Sequence, residues 1–135
     1  MKKTQQKKSL HQSPSLDTTS NMCPLRELLS RLGDKWSMLV ILTLAKRKFH
    51  RARFSELERE IPDISQRMLT ATLRILERDG LLKRTIYPEV PPRVEYEMTE
   101  TGVSILKPME NLVHWIESHW KTIHRSRDTF DKKSV

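Results

Sequence analysis

Three arginines, Arg67, Arg74 and Arg78, recur in a stretch where Leu69, Thr72, Leu73 and Leu76 mark out a stripe at helical spacing. On a helix turning about 100° per residue, Arg67, Ala71, Arg74 and Arg78 lie opposite that stripe, with Gln66 and Thr70 beside them. The face carries no carboxylate before Glu77. These side chains suit the edges of base pairs. Arginine can grip guanine through two hydrogen bonds, glutamine can grip adenine in the same way, and the hydroxyls of Ser65 and Thr70 serve either base or phosphate. A second chemistry belongs to Cys23, the one cysteine of the chain, which stands just before Pro24 where a helical pattern begins. Unpaired amides and the helix dipole there favour the thiolate, Arg26 adds positive charge within the first turn, and the thiolate is the form that meets oxidants and electrophiles. With no second cysteine, reversible oxidation would give a bridge between two chains, a mixed disulfide or a sulfenic acid. Burial as a small apolar side chain is the commoner fate of a free thiol, so both readings of Cys23 stay open.

The elements that would position these residues follow from the hydrophobic periodicity. Leu25, Leu28, Leu29 and Leu32 give a first helix that Gly33 stops. Asp34 caps a second, whose apolar residues Trp36, Leu39, Val40, Ile41, Leu42 and Leu44 surround it so broadly that it belongs at the centre of the core. The basic run Lys46 to Arg53 follows as a loop or short strand. Ser55 to Glu58 has the form of a capping box and opens a short third helix, which ends by Ile61 because Pro62 disfavours helix in the residue before it. After the turn Pro62-Asp63-Ile64, Ser65 caps a fourth helix, Gln66 to Arg78, closed by Asp79-Gly80. Two segments with β character, near Leu82 to Tyr87 and Arg93 to Met98, flank a tip of three prolines. In the second, Val94, Tyr96 and Met98 share one face and Arg93, Glu95 and Glu97 the other. Thr99 caps a last helix in which Leu106, Met109, Val113, Ile116, Trp120 and Ile123 recur at alternating spacings of three and four, a coiled-coil-like seam. Ile105, Leu112 and Trp115 widen that stripe beyond what one small domain can cover, which predicts a homodimer with Leu106, Met109, Val113, Ile116 and Trp120 at its interface.

The fold class is therefore mainly α with a small β-hairpin wing: a winged helix-turn-helix with an N-terminal helix and a long C-terminal dimerisation helix. The expected domain spans residues 23–121, with the helix-turn-helix at 54–79, the wing at 82–98 and the dimerisation helix at 99–124. Polar and basic tails at 1–22 and 125–135 have too few large apolar side chains to order themselves. The chain of 135 residues has room for one such domain. No apolar run approaches the roughly 18 residues of a membrane span, and the first stretch lacks the apolar core of a signal peptide, so a cytoplasmic location is expected. The formal net charge of +8 is concentrated at the ends, +3 in residues 1–22 and +3 in 121–135, leaving only +2 between them. Charge alone therefore does not establish nucleic-acid binding, and a solvated helix face is the usual meaning of an isolated arginine stripe. Here the capped short helix, the proline-containing turn and the hairpin supply the context that such a stripe lacks, and in a helix-turn-helix the start of the second helix enters the major groove.

The segments Cys23-Pro24, Leu32-Gly33-Asp34-Lys35-Trp36, Arg53-Phe54-Ser55-Glu56-Leu57, Ile61-Pro62-Asp63-Ile64-Ser65, Met68-Leu69-Thr70, Leu73 to Leu81 and Tyr87-Pro88-Glu89-Val90-Pro91-Pro92-Arg93-Val94-Glu95-Tyr96 together resemble the HxlR family of bacterial regulators over about residues 23 to 120. The Val-Pro-Pro-Arg-Val-Glu-Tyr wing is the most diagnostic of these. The resemblance implies a dimeric winged helix-turn-helix, related to the MarR type, that represses or activates nearby genes, often in answer to aldehydes, quinones or oxidants. It also implies wing arginines that reach DNA and, in some members, a sensing cysteine at the place of Cys23. Asp34 departs from the pattern, where the family usually has a second glycine, and the expected consequence is confined to the cap between the first two helices.

The partners expected are thus double-stranded DNA with a pseudo-palindromic operator, a second copy of the chain, and a small-molecule or oxidant effector. Arg93, leaving the proline tip, is the candidate for the minor groove, its rival role being an ion pair with a neighbouring glutamate. Arg53, Arg78, Lys83 and Arg84 are candidates for phosphate contacts. His50, His114, His119 and His124 have no partner at zinc-site spacing, so no metal or other cofactor is expected. With three glycines in the chain, no phosphate-cradling loop and no nucleophile elbow, an enzyme is not expected either. The rival from another class is a winged-helix adaptor that binds protein without DNA.

Overall fold

In the computed structural model the chain is described for the backbone of residues 22–133 and, from Pro24 onward, their side chains. In chain order the elements are α1 (Met22–Leu32), α2 (Lys35–Ala45), a single 3-10 turn (Lys48–His50), β1 (Arg51–Arg53), α3 (Phe54–Glu60), α4 (Gln66–Arg78), β2 (Leu82–Tyr87), β3 (Arg93–Met98), α5 (Glu100–Ser104) and α6 (Leu106–Lys133). The most apolar helix is the centre: Val40, Ile41 and Leu44 of α2 are fully buried. They meet Leu57 of α3, Leu69, Leu73 and Leu76 of α4, Tyr96 and Met98 of β3, and Met109 of α6 in one cluster. Asp34 caps α2, accepting from the Ser37 N–H at 3.3 Å and the Ser37 hydroxyl at 3.1 Å. The consequence expected of Asp34 is thus a side-chain cap on α2.

The sheet is antiparallel with strand order β1-β3-β2. β2 and β3 form the expected hairpin, with Leu82 opposite Met98 and Tyr87 opposite Arg93. The ambiguous segment after α2 supplies a third strand, pairing Arg51 with Glu97 and Arg53 with Glu95. Ala52 turns inward and is buried.

Four details differ from the sequence-based expectations. α3 begins at Phe54, so the reach-back carboxylate at its start is Glu56, which accepts from the Arg53 N–H at 3.3 Å. The box at Ser55 and Glu58 is therefore displaced by two residues; Phe54 packs on the core, and its place in the first turn fixes the start. The helix expected over 99–124 is two helices meeting at Ile105. Pro108 lacks an N–H, and its ring would strike the carbonyl four residues back, that of Ser104, so an unbroken helix cannot pass. The tail expected from 125 is helical through Lys133. No glycine or proline interrupts it, and local contacts support it: Arg127 lies over the Trp120 ring at 5.6 Å and His124 Nε2 stands 3.8 Å from Asp128 Oδ2. Lastly, Met109 is 5% exposed and belongs to the chain's own core, with Leu106 half-buried against it. That packing removes Met109 from the expected dimer seam. The expected tail at 1–22 lies outside the described residues except for Met22, whose backbone opens α1.

Candidate nucleic-acid interface

α4 is held in place by its apolar stripe. Leu69, Leu73 and Leu76 are fully buried and Thr72 is 2% exposed. Ser65 caps the helix, its hydroxyl accepting from the Met68 N–H at 3.0 Å. On the opposite side Gln66, Arg67, Thr70, Ala71 and Arg74 are all exposed and line one shallow concavity. The structure thus gathers five of the expected base-reading residues on one face. Ser65 sits at its edge with its hydroxyl engaged in the cap. The Thr70 hydroxyl donates to the Gln66 carbonyl at 2.8 Å and keeps its oxygen as an acceptor. Arg78 is exposed at the other end, twelve residues and about 18 Å of helix from Gln66, and is not part of the concavity.

The start of α4 borders a larger groove of about 630 Å³ closed by the wing. Arg53 and Ser55 line it from the start of α3, Gln66 and Thr70 from α4, and Arg84 and Tyr96 from the sheet. Two of the four phosphate candidates, Arg53 and Arg84, therefore reach the groove. Lys83, opposite Glu97 on the other face of β2, does not. Tyr96 is 7% exposed, and burial raises its phenol above the ordinary value, an effect opposed by the positive charge and hydrogen bond of Arg84.

Arg93 takes the rival role in this structure. Its Nη2 lies 3.3 Å from Glu89 Oε1 and its Nε 3.7 Å from Glu95 Oε1, and the guanidinium sits 4.1 Å above the Tyr87 ring. Strand alternation puts Arg93 and Glu95 on one face, and the register places Tyr87 directly opposite. The side chain braces the wing tip instead of extending from it.

The HxlR-like helix-turn-helix family matches residues 31–124. An uncharacterized HTH-type transcriptional regulator of Methanothermobacter thermautotrophicus is 49% identical over 94 residues, 70% of each chain. Among solved structures, the redox regulator HypR in its reduced form superposes with a TM-score of 0.68 at 35% identity, covering 76% of this chain and 98% of that one. The reduced form of the regulator YodB from Bacillus subtilis gives a TM-score of 0.61 at 32% identity, with coverage of 70% and 89%. The chain belongs to the HxlR-like helix-turn-helix family. It is a DNA-binding transcriptional regulator of the winged-helix class.

In this HxlR-type frame several groups escaped sequence reasoning. Met68 is 42% exposed at the start of α4, and its signal was an apolar side chain out of phase with the leucine stripe. Ser55, assigned to a cap, is exposed on the groove. Arg47 joins Glu56 and Glu60 in ion pairs and donates from Nε to the Arg51 carbonyl at 3.0 Å, tying the basic run to α3. That contact spans elements and has no periodic signature.

The expected dimer seam is divided. Met109 and Leu106 face inward, Val113 is half-buried, and Ile116 and Trp120 are 42% and 50% exposed. Trp115 at 52% and Leu112 at 46% extend this apolar surface. α1 adds a second one, with Leu25, Leu28 and Leu29 between 43% and 58% exposed. The Cys23 backbone lies in the first turn of α1, and its side chain falls outside what the structure describes. Among the described residues no group of three His, Cys, Asp or Glu side chains converges as a metal site, and no helix is long and apolar enough to cross a membrane.

Proposed function

We propose that this regulator acts in the cytoplasm as a homodimer that grips a pseudo-palindromic operator, acting by binding and not by catalysis. The observation that carries base reading is the acid-free concave face formed by Gln66, Arg67, Thr70, Ala71 and Arg74 on a helix locked by its buried leucines. Arg67 and Arg74 read guanines in the major groove. Arg53 and Arg84 hold phosphates on either side of the wing groove, and Arg93 keeps the wing in shape for that contact. Supporting a second copy are the two uncovered apolar surfaces, on α1 and on α6. Two-fold symmetry then places half-sites about 10 bp, or a multiple of that, apart.

An oxidant or electrophile is the effector we favour, with Cys23 as the reacting thiol. The support is that HypR is described as a redox regulator and that Cys23 is this chain's one thiol.

Fluorescence anisotropy on a duplex selected from random sequence, repeated at several salt concentrations, tests the reading. Two phosphate-holding arginines per subunit give a log–log salt slope of at least about −3.6 for the dimer, and Arg84→Ala removes about 1.8 of it. Binding that is weak and insensitive to salt would favour the adaptor instead.

A further inference from the structure

The basic run between α2 and α3 has three fates in the fold. Arg53 faces the wing groove. Arg47 is consumed by Glu56 and Glu60. Lys46, Lys48 and Arg51 remain exposed, and none of the ion pairs among the described residues involves them. Two of them flank Phe49, which is 65% exposed, with Lys48 Nζ and the Arg51 guanidinium each 5.3 Å from its ring centroid.

The backbone presents this ring deliberately. Phe49 has φ 59° and ψ 16°, and His50 has φ 50°. The left-handed region is unfavourable for any residue with a Cβ, and two such residues in succession need a reason. Burial does not supply one, because the aromatic ring that the strained turn carries is left in water.

Its place in the sheet separates it from the DNA-facing groove. β3 begins at the wing tip with Arg93, and Arg51 pairs with Glu97, four residues or about 13 Å farther along. The corner therefore stands at the end of the sheet remote from the wing tip, on the outer strand.

We propose that the Lys46–Arg51 corner is a docking site for an acidic segment of a partner protein, one that carries an apolar side chain among its carboxylates. The carboxylates meet Lys46, Lys48 and Arg51, and the apolar side chain covers the Phe49 ring. Charge complementarity selects this occupant. A second copy placed corner to corner would oppose like charges, and the chain's own basic N-terminal stretch has the wrong sign. A duplex offers phosphates to the cations but keeps its apolar groups, the thymine methyls and base faces, inside the grooves, so a ring standing among phosphate-bound cations is left uncovered.

The test uses the full chain and a short fluorescent peptide of alternating Asp and Glu interrupted by Leu and Phe, beside a control peptide with Ser at those apolar positions and a random duplex. Phe49→Asn removes the ring while keeping a residue that tolerates left-handed backbone. It should preserve the melting temperature, weaken the Leu/Phe peptide about tenfold as loss of a central apolar anchor does, and leave the Ser peptide and the duplex unaffected. Lys48→Glu with Arg51→Glu should abolish binding of both peptides at an undiminished affinity for the duplex. Peptide affinity unchanged in both variants overturns the proposal. So does equal binding of the two peptides to the wild type, or a duplex affinity that falls in step with the peptide's, which would assign the corner to DNA.

Discussion

Trp120→Ala tests the homodimer at the largest exposed side chain of the expected seam. Trp120 is half exposed, and the contacts its ring makes in its own chain stay within α6: the His124 ring at 6.0 Å and the Arg127 guanidinium at 5.6 Å. A tryptophan has about 200 Å² to bury, so about 100 Å² per subunit is left for a partner. At about 25 cal/mol per Å² this is about 2.5 kcal/mol per subunit, or about 5 kcal/mol for a symmetric dimer that loses both rings. With 1.4 kcal/mol per decade, the dimer dissociation constant should rise by about 10³ to 10⁴, an upper figure that repacking reduces toward about 10². Sedimentation equilibrium over a concentration series measures it, and circular dichroism verifies that helix content is retained at concentrations where both proteins are in the same assembly state. Operator affinity should fall in parallel, because a monomer engages one half-site. A change below about threefold in the dimer constant would refute the assignment of this face. The exposed leucines of α1 would then become the leading surface.

Three further outcomes follow from the same geometry. Arg67→Ala and Arg74→Ala should each cost about 1 to 3 kcal/mol on the selected operator and much less on random duplex, read by competition anisotropy; equal losses on both DNAs would remove these residues from base reading. A Cβ on Gly102 would stand 2.2 Å from the Leu81 carbonyl oxygen, so Gly102→Ala should destabilise by about 1 to 3 kcal/mol and lower the melting temperature by roughly 4 to 8 °C per kcal/mol, and an unchanged melt would contradict that contact. Treatment with diamide should reduce operator binding of the wild type and spare Cys23→Ser, with any bridge between subunits visible on a non-reducing gel; identical responses would leave a non-covalent ligand between the dimer helices as the better effector.

Much of this architecture was legible because a few residues have one role each. Ser65 and the leucine stripe set α4 at Gln66 to Arg78, where the structure has it. The alternation Val94, Tyr96, Met98 set which face of β3 turns inward, and Tyr96 and Met98 are buried as that pattern requires. What was not legible depends on competition between distant groups. Nothing local says that Arg93 will choose Glu89, Glu95 and the Tyr87 ring over solvent, since that outcome needs the hairpin register first. The seam spacing gave Met109 and Ile116 the same standing, but Met109 lies in the first turn of α6 against the domain's core, while Ile116 lies about two turns farther along, where that core no longer covers it. The helix beyond residue 124 has a low apolar content, so hydrophobic patterning missed it, and its support is local pairing and the absence of any breaker.

The connection between the reading helix and the proposed dimer helix is short and stiff. Gly80, at φ 76°, ends α4 in a conformation that favours glycine, and the next residue, Leu81, accepts the Thr99 N–H at 3.0 Å. The Thr99 hydroxyl bonds the Gly80 carbonyl and also accepts from the Gly102 N–H at 3.1 Å, capping α5. Gly102 lets α5 lie directly on the Leu81 carbonyl, at a distance no other residue permits. The end of α4 is thereby fastened to the cap of α5 by two hydrogen bonds and one backbone contact, and α5 passes into α6 within a single bend. In the proposed dimer a rotation of α6 against its partner is expected to reach α4 through the bonds of Thr99 to Gly80 and Leu81 and the contact at Gly102. In the proposed dimer the half-site spacing is accordingly set by how the two α6 helices pack, and an effector that alters that packing changes operator affinity without touching Arg67 or Arg74. Gly102→Ala separates the two parts of this chain of contacts: it should shift the preferred half-site spacing or blunt the response to the effector, while Trp120→Ala weakens every spacing alike.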